Sequence, residues 1–322
     1  MGFIAPHKVL SFGIAGLPVT KLMLFFAALL YAAGVAAAGP VRLAPATYKF
    51  VPDSLLCFPP QSRGYVLLVE KTYQKAYLYD MQNLDGPLRV YPCSTGENRG
   101  AKVEENDKRT PEGIYFITDS FLRKDLTPIY GDRAFPLDYP NARDRKLGRK
   151  GYGIWIHGTN EVLKPRDTNG CIVFTNKDIR DLAGYVRERH TPVIITQEIN
   201  FVEKEWLLGD RVRLKSFIDD WSNAWKGGRI DRYMAFYAKD FTAQGKSRLQ
   251  WRAYKRRLSQ HYGAVEISIE NLQILREGGI ILAKFDQTYR ADGLHSFGEK
   301  RLYLQQRSPE WKIVDEFFER RW

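Results

Sequence analysis

The chain has 322 residues, of which 44% are hydrophobic, so it is long enough for two packed globular domains. Its 49 Lys and Arg residues outnumber 37 Asp and Glu, and the resulting net charge of +12 suits an anionic partner. Zinc-finger spacing and aromatic RNP-type motifs are both absent from the sequence, which argues against a nucleic-acid reader.

Residues 1–38 differ in kind from the rest of the chain. Lys8 and Lys21 precede an apolar run over 22–35, and residues 36–38 are the small alanines that a signal peptidase requires. This pattern predicts a secretory signal peptide. The alternative is an uncleaved inner-membrane anchor, since the apolar stretch falls just short of the roughly 20 residues that span a bilayer. Both alternatives predict an exported protein of the periplasm or cell envelope.

The cysteine count constrains the redox chemistry. Only Cys57, Cys93 and Cys171 occur, which is too few for a disulfide scaffold and leaves at least one thiol unpaired in an oxidising compartment. Cys57 and Cys93 carry no motif, so a disulfide between them is one possibility. Three histidines lack the spacing of metal ligands, and we expect neither a metal nor a cofactor: His190, His261 and His295.

Residues 39–63 form an N-terminal extension in which prolines predict irregular chain over 44–63. A domain over 64–200 follows, in which β-branched and aromatic runs predict strands. These strands cover residues 65–70, 75–80, 88–93, 113–118, 153–157 and 192–196. Residues 94–111 are rich in Gly, Asn and charge, which predicts a loop, and apolar spacing predicts one helix from about residue 176. The domain is therefore predicted to be dominated by sheet.

A second domain is predicted over 211–322. Apolar residues recur at helical spacing between Leu214 and Trp225, and shorter helical patterns follow at 230–237 and 251–262. Alternating patterns then predict strands, at residues 265–269, 280–285, 300–304 and 311–314. Helices followed by strands are typical of an α+β domain.

The segment from Ile154 to Phe174 carries the candidate chemistry: IWIHGTNEVLKPRDTNGCIVF. A thiol becomes a useful nucleophile when a nearby base removes its proton. His157 ends a predicted strand, and the loop after it returns to Cys171. Gly170 permits a tight turn there, and we expect the backbone N–H groups of Gly170 and Cys171 to face a developing oxyanion.

These residues resemble a known active-site signature. IxIHGT followed by TxGCI is similar to the motif of the YkuD family of L,D-transpeptidases and L,D-carboxypeptidases, and residues 94–96, 110–115 and 136–141 resemble further segments of that family. The resemblance covers 64–198 and implies a β-rich sandwich that acts on peptidoglycan stem peptides. Cys171 would attack the carbonyl of the L-configured third residue and expel terminal D-alanine, while His157 transfers the proton.

The resemblance also implies supporting residues. Gly158 and Thr168 would brace the histidine, and Asn169 stands beside the nucleophile. The predicted substrate-binding residues are Tyr139, Trp155, Arg149 and Arg166. The basic residues between 143 and 150 are interpreted as a solvated surface, or alternatively as a cradle for stem-peptide carboxylates.

Two departures bear on the outcome of the reaction. No arginine follows the cysteine at the position frequent in transpeptidases, and Asn169 replaces a frequent histidine. The second domain, with its WxxAW helix and Trp251, resembles the cone-shaped SnoaL-like and nuclear-transport-factor fold, a pairing found in L,D-carboxypeptidases that shape helical bacteria. We therefore expect hydrolysis to exceed cross-linking.

Three hypotheses follow from the sequence. The first is a cysteine enzyme, either a carboxypeptidase or a transpeptidase that forms 3-3 cross-links or attaches an envelope protein. The others are a silent peptidoglycan-binding module and an envelope scaffold that works through the second domain. The sequence assigns no oligomeric state.

Overall fold

A computed structural model describes residues 49–262 and 265–321. The predicted signal peptide or anchor over 1–38 lies outside these residues. Within the described part of the chain, every helix is too short or too polar to cross a membrane.

More of the described residues lie in strands than in helices. Strands β1 to β12 span Phe50–Pro52, Leu55–Cys57, Tyr65–Glu70, Lys75–Asp80, Arg89–Pro92, Gly113–Phe116, Phe121–Leu122, Arg133–Pro136, Trp155–His157, Ile172–Val173, Pro192–Thr196 and Phe201–Glu203. Strands β13 to β18 span Thr242–Ala243, Lys246–Ser247, Glu266–Glu277, Ile280–Ala291, Leu294–Arg307 and Glu310–Arg321. Helices α1 to α5 span Ala142–Lys146, Asn176–Ala183, Lys204–Lys226, Ile230–Ala235 and Arg248–Tyr262, and short 3-10 helices cover Arg123–Asp125 and Pro128–Tyr130.

Two sheets and the helices α1 and α2 build the half of the structure over residues 64–200. The first sheet has the strand order β5-β4-β3-β11-β6, and the second has the order β10-β9-β8-β7. Leu67 and Val193 of the first sheet pack against Phe135 and Ile156 of the second, and all four are essentially inaccessible to solvent. Burial of these apolar surfaces is the main stabilising term. The predicted β-rich sandwich is confirmed.

The third sheet has the order β18-β17-β16-β15-β2, and its strands extend well beyond the predicted segments. One face packs against α3, α4 and α5, where Trp221, Tyr233 and Trp251 are buried. Helix α3 begins at Lys204, earlier than the apolar pattern indicated. The pattern missed this start because Glu205 and Trp206 in the first turn are exposed. This arrangement confirms the predicted α+β class.

A further core joins the first and third sheets. Val66, Leu68 and Ile194 face away from the sandwich interior and pack with Leu282 and Tyr303 of the third sheet. The two halves are therefore held together by buried apolar surface.

The prediction of irregular chain over 44–63 is wrong for residues 50–57. Strand β1 pairs with β12 and strand β2 pairs with β15, so this segment joins strands that come after residue 200. Pro52 ends β1 in a two-stranded ladder, a position at which proline is tolerated. Leu55 and Leu56 are fully buried on opposite sides. Three-residue strands with distant partners carry too little local pattern to be predicted.

The basic segment 143–150 was interpreted as solvated surface or as a carboxylate cradle. Arg145, Lys146 and Lys150 are exposed, as the first interpretation expected, whereas Arg143 is half-buried and paired within the protein. Asn141 caps α1 through a capping box with Asp144. Arg143 and Lys146 then form ion pairs with Asp315 of β18, which is 2% exposed. The segment therefore links the two halves, and a local sequence window cannot show a carboxylate so far along the chain.

Candidate active site

The pairing of β9 with β10 positions the two candidate catalytic side chains. The strands are parallel, with Ile172 opposite Ile156 and Val173 opposite His157. Side chains alternate between the faces of a strand, and both isoleucines enter the core. Cys171, one residue before β10, therefore shares the opposite face with His157.

Both side chains contribute to one cavity of about 510 Å³. Its walls come mainly from loops, at residues 102, 105–106, 129–130, 151–154, 159, 161–164 and 167–169. Thr168 and Asn169 are part of this wall. A cavity of this size accommodates a short peptide segment.

His157 is 6% exposed and is oriented by its neighbour. Its Nδ1 lies 2.7 Å from the Gly158 carbonyl oxygen, so in the neutral ring Nδ1 carries the proton and Nε2 has a free lone pair. Burial lowers the pKa of the imidazole, while the bond to Gly158 acts in the opposite direction. The ring edge also contacts Tyr130, with centroids 5.0 Å apart. The geometry favours a neutral imidazole that can accept a proton.

The Cys171 thiol is also held in its neutral form. Burial raises its pKa, and the Trp155 backbone N–H and the charge of Lys102 act in the opposite direction. The sulfur lies 3.6 Å from the Gly153 carbonyl oxygen, to which the S–H donates. Both pKa shifts favour the neutral thiol and the neutral imidazole, in contrast to the thiolate–imidazolium pair of cysteine proteases with strongly acidic thiols.

Thr168 braces the cysteine loop and makes no bond with the histidine, contrary to the sequence-based expectation. Its hydroxyl donates to the Cys171 carbonyl over 2.8 Å and accepts the Gly170 N–H over 3.0 Å. The Gly170 N–H is thereby engaged, so the prediction that it faces an oxyanion is wrong. Gly170 has φ +129°, and a Cβ there would lie 2.7 Å from the Arg109 carbonyl oxygen, which explains the glycine.

Close packing requires a glycine at position 158, the residue whose carbonyl contacts His157. A Cβ at this position would lie 2.4 Å from Oδ1 of Asn176, the first residue of α2. That oxygen already accepts the Asp132 N–H over 2.9 Å. The expectation that Gly158 braces the histidine agrees with this geometry.

The predicted substrate-binding residues lie outside the cavity wall. The Tyr139 hydroxyl donates to the Lys150 carbonyl, and Arg149 forms an ion pair with Asp144 over 2.8 Å. The Arg166 guanidinium donates a hydrogen bond of 2.9 Å to the Lys71 carbonyl oxygen. Their hydrogen-bonding groups hold the scaffold, so we do not retain these three residues as substrate contacts.

Trp155 has an indirect place in the site. Its ring stacks on Tyr130 at 4.8 Å and on Phe121 at 5.6 Å between centroids. Tyr130 in turn contacts His157, so the tryptophan supports a residue of the cavity wall. Tyr130 and Lys102 were both missed from the sequence, because a loop tyrosine and a lysine in a charged loop are normally solvent-exposed.

The possibility of a disulfide between Cys57 and Cys93 is contradicted. Both thiols are free and buried. Cys57 lies in the core between the third sheet and its packed helices, and Cys93 lies inside the sandwich. Within 49–262 and 265–321, moreover, no group of three or more His, Cys, Asp or Glu side chains could hold a metal ion.

Comparison with known proteins agrees with this architecture. Residues 64–195 match the model of the L,D-transpeptidase catalytic domain, YkuD, and residues 213–317 match the model of the Cds6 C-terminal NTF2-like domain. The chain thus carries a YkuD catalytic domain and an NTF2-like domain. Both resemblances drawn from the motifs are confirmed.

Individual relatives support the same assignment. The putative L,D-transpeptidase YafK of Escherichia coli K12 is 30% identical over 94 residues, which are 29% of this chain and only 35% of that relative. The structure of Bdellovibrio bacteriovorus Bd1075 is 29% identical with a TM-score of 0.73, covering 85% of this chain and 99% of that one. Pgp2 of Campylobacter jejuni, described as a helical cell shape determining protein, is 23% identical with a TM-score of 0.69 and covers 83% of this chain and 95% of its own. Pgp2 therefore shows the shared fold alone.

Proposed function

We propose that this chain is a peptidoglycan L,D-carboxypeptidase of the cell envelope that uses Cys171 as nucleophile and His157 as base. One observation carries the proposal. The register of β9 and β10 brings both side chains to one face and one cavity, and the Gly158 carbonyl fixes the histidine proton on Nδ1. The free lone pair of Nε2 is then available to the thiol.

The chemistry follows from this neutral pair. Nε2 of His157 takes the Cys171 proton as the sulfur attacks the carbonyl carbon of the third stem residue. Because Thr168 engages the Gly170 N–H, we assign the oxyanion to the backbone N–H of Cys171. His157 then protonates the amine of D-alanine, which leaves. Water attacks the thioester with His157 as base, and a tripeptide stem is released.

We propose hydrolysis as the main outcome. Cross-linking needs a second site that holds an amine in attack geometry against water. Asn169 and Val173 occupy the positions where family transpeptidases frequently carry histidine and arginine, and both line the cavity. A transpeptidase remains the alternative function, because both reactions share the thioester.

Incubation of the protein with disaccharide tetrapeptide monomers and dimers, followed by mass spectrometry of the products, tests the proposal. We expect tripeptide and free D-alanine. Dimers joined through two third-position residues would favour transpeptidation instead. Binding of sacculi without any product would favour the silent binding module. Activity retained without the second domain, with altered cell shape, would favour the scaffold.

Two variants test the nucleophile. We expect Cys171→Ala to abolish D-alanine release, whereas Cys57→Ala, a matched removal of a thiol in the NTF2-like core, should retain it. Equal activity of the two variants would refute the assignment.

A further inference from the structure

Lys102 is a buried cation in the wall of the catalytic cavity. Lys102 is 3% exposed although it belongs to a loop whose neighbours 103–106 are all exposed. The other lysine of the wall, Lys164, is exposed and lies 4.0 Å from Asp167. A buried ammonium beside a nucleophile requires a structural or functional reason.

The local structure holds this ammonium in a defined position. Its Nζ donates to Asp107 Oδ1 over 2.8 Å and to the Glu104 carbonyl over 2.9 Å. Gly151, with φ +84°, allows the lysine to pass, because a Cβ there would lie 2.9 Å from Lys102 Cε. An ammonium has three donors, and these two bonds leave one for a ligand.

The charge of Lys102 is only partly neutralised by Asp107. That carboxylate also accepts backbone N–H groups from Val103, Glu104 and Arg109. Burial opposes ionisation of Asp107, but the bonds from Lys102 and these backbone groups lower its pKa overall. With the negative charge of Asp107 shared among four donors, the ammonium keeps a positive potential towards the cavity that it lines together with Cys171.

We propose that Lys102 binds the free carboxylate of the terminal residue that the enzyme removes, and thereby selects stems that end one residue after the scissile bond. The proposal rests on the proposed function. In a tetrapeptide stem, the D-alanine carboxylate lies one residue from the attacked carbonyl, about 4 Å along the chain. Lys102 and Cys171 line the same cavity, so a carboxylate this close to the attacked carbonyl can meet the free donor of the ammonium. Stems that continue as an amide lack the charge and bind less well.

The experiment compares a disaccharide tetrapeptide ending in D-alanine with the same molecule ending in D-alaninamide. We expect the wild-type protein to cleave the free acid with a kcat/KM about 10- to 100-fold higher, the range expected for one charged hydrogen bond. Most of the difference should appear in KM. Equal kcat/KM values of the wild-type protein for the two substrates would by themselves overturn the proposal.

Lys102→Met should abolish this preference by lowering kcat/KM for the acid about 10- to 100-fold more than kcat/KM for the amide. Activity on the amide also reports that the variant is folded. The matched control is Lys164→Met, which removes the exposed lysine of the same wall and should retain the preference. If Lys102→Met lowered activity on both substrates equally, the lysine would act on the thiol alone and the proposal would be wrong. If the wild-type protein released neither D-alanine from the acid nor D-alaninamide from the amide, the proposed function itself would fail.

Discussion

The Thr110 hydroxyl donates a hydrogen bond of 2.9 Å to the carbonyl of Gly170, the residue before the nucleophile. The same hydroxyl accepts the Gly96 N–H over 2.8 Å, so one buried side chain satisfies backbone groups from two loops of the site. Thr110 thereby fixes the cysteine loop against the loop over 97–109.

Replacing Thr110 by valine keeps the shape but removes both hydrogen bonds. Two buried backbone groups would lose their partners, each costing about 1–3 kcal/mol. We expect Thr110→Val to lower the free energy of unfolding by about 2 kcal/mol and kcat by at least about tenfold, because the loop that carries the thiol is no longer held. Thr110→Ser keeps the hydroxyl and should retain most of both. Denaturant unfolding and turnover assays check this, and wild-type turnover by the valine variant would contradict it.

The neutral thiol–imidazole pair predicts a specific pH dependence. The base acts in its unprotonated form, and burial lowers the pKa of His157. We therefore expect kcat/KM to fall only below the ordinary histidine pKa of about 6.5. Burial raises the pKa of Cys171, so alkylation by iodoacetamide should be slow at neutral pH and accelerate above about pH 8.5. Cys171→Ala serves as the labelling control. Fast alkylation that persists down to about pH 6 would instead indicate a thiolate–imidazolium ion pair.

Gly158 is predicted to be intolerant of a side chain. The Cβ of Gly158→Ala would overlap Asn176 Oδ1 and would lie 2.9 Å from Ile179 Cγ2, so α2 or the histidine strand must move. Overpacking of this kind costs about 1–3 kcal/mol. We expect a lower melting temperature and a reduced kcat. Gly184→Ala is the control, because that glycine ends α2 with right-handed helical φ and ψ angles and its nearest contact is 3.4 Å.

The ion pairs between α1 and β18 provide a test of how the two halves stabilise each other. Asp315→Asn would leave Arg143 and Lys146 without their buried carboxylate, and removing one partner of a buried pair costs about 3 kcal/mol. The matched control is Asp231→Asn, whose partner Arg252 is on an exposed surface. Denaturant titration should show a large loss for the first variant and none beyond error for the second. Equal midpoints would contradict the structural role.

Long and strongly patterned elements could be predicted from the sequence. Strands β3, β4 and β11 have the predicted bounds, because each is a continuous apolar run between clear turn signals. His157, Gly158 and Cys171 could be found because their motif is local. Helix α1 and the short strands β1, β2, β7 and β8 were missed, since elements of two to five residues are too short to show a periodic pattern.

The same reasoning explains the errors at the site. Arg149 and Arg166 are near the motif in sequence, but their guanidinium groups bind Asp144 and a backbone carbonyl. Lys102 is distant in sequence, but the fold of its loop directs it to the cavity. Charge in a sequence shows that a partner is needed and leaves open whether the partner is protein or substrate.

The pairing of β2 with β15 affects the order in which this protein can complete its fold. Cys57 lies opposite Ile274, so β2 has no partner strand until roughly 220 further residues have been synthesised. A truncated chain that starts at residue 64 exposes the unpaired edge of β15 and opens the core beneath Leu56. The segment over 50–57 therefore supplies the edge strand that completes the sheet of the NTF2-like half. A chain without this segment cannot form the full five-stranded sheet.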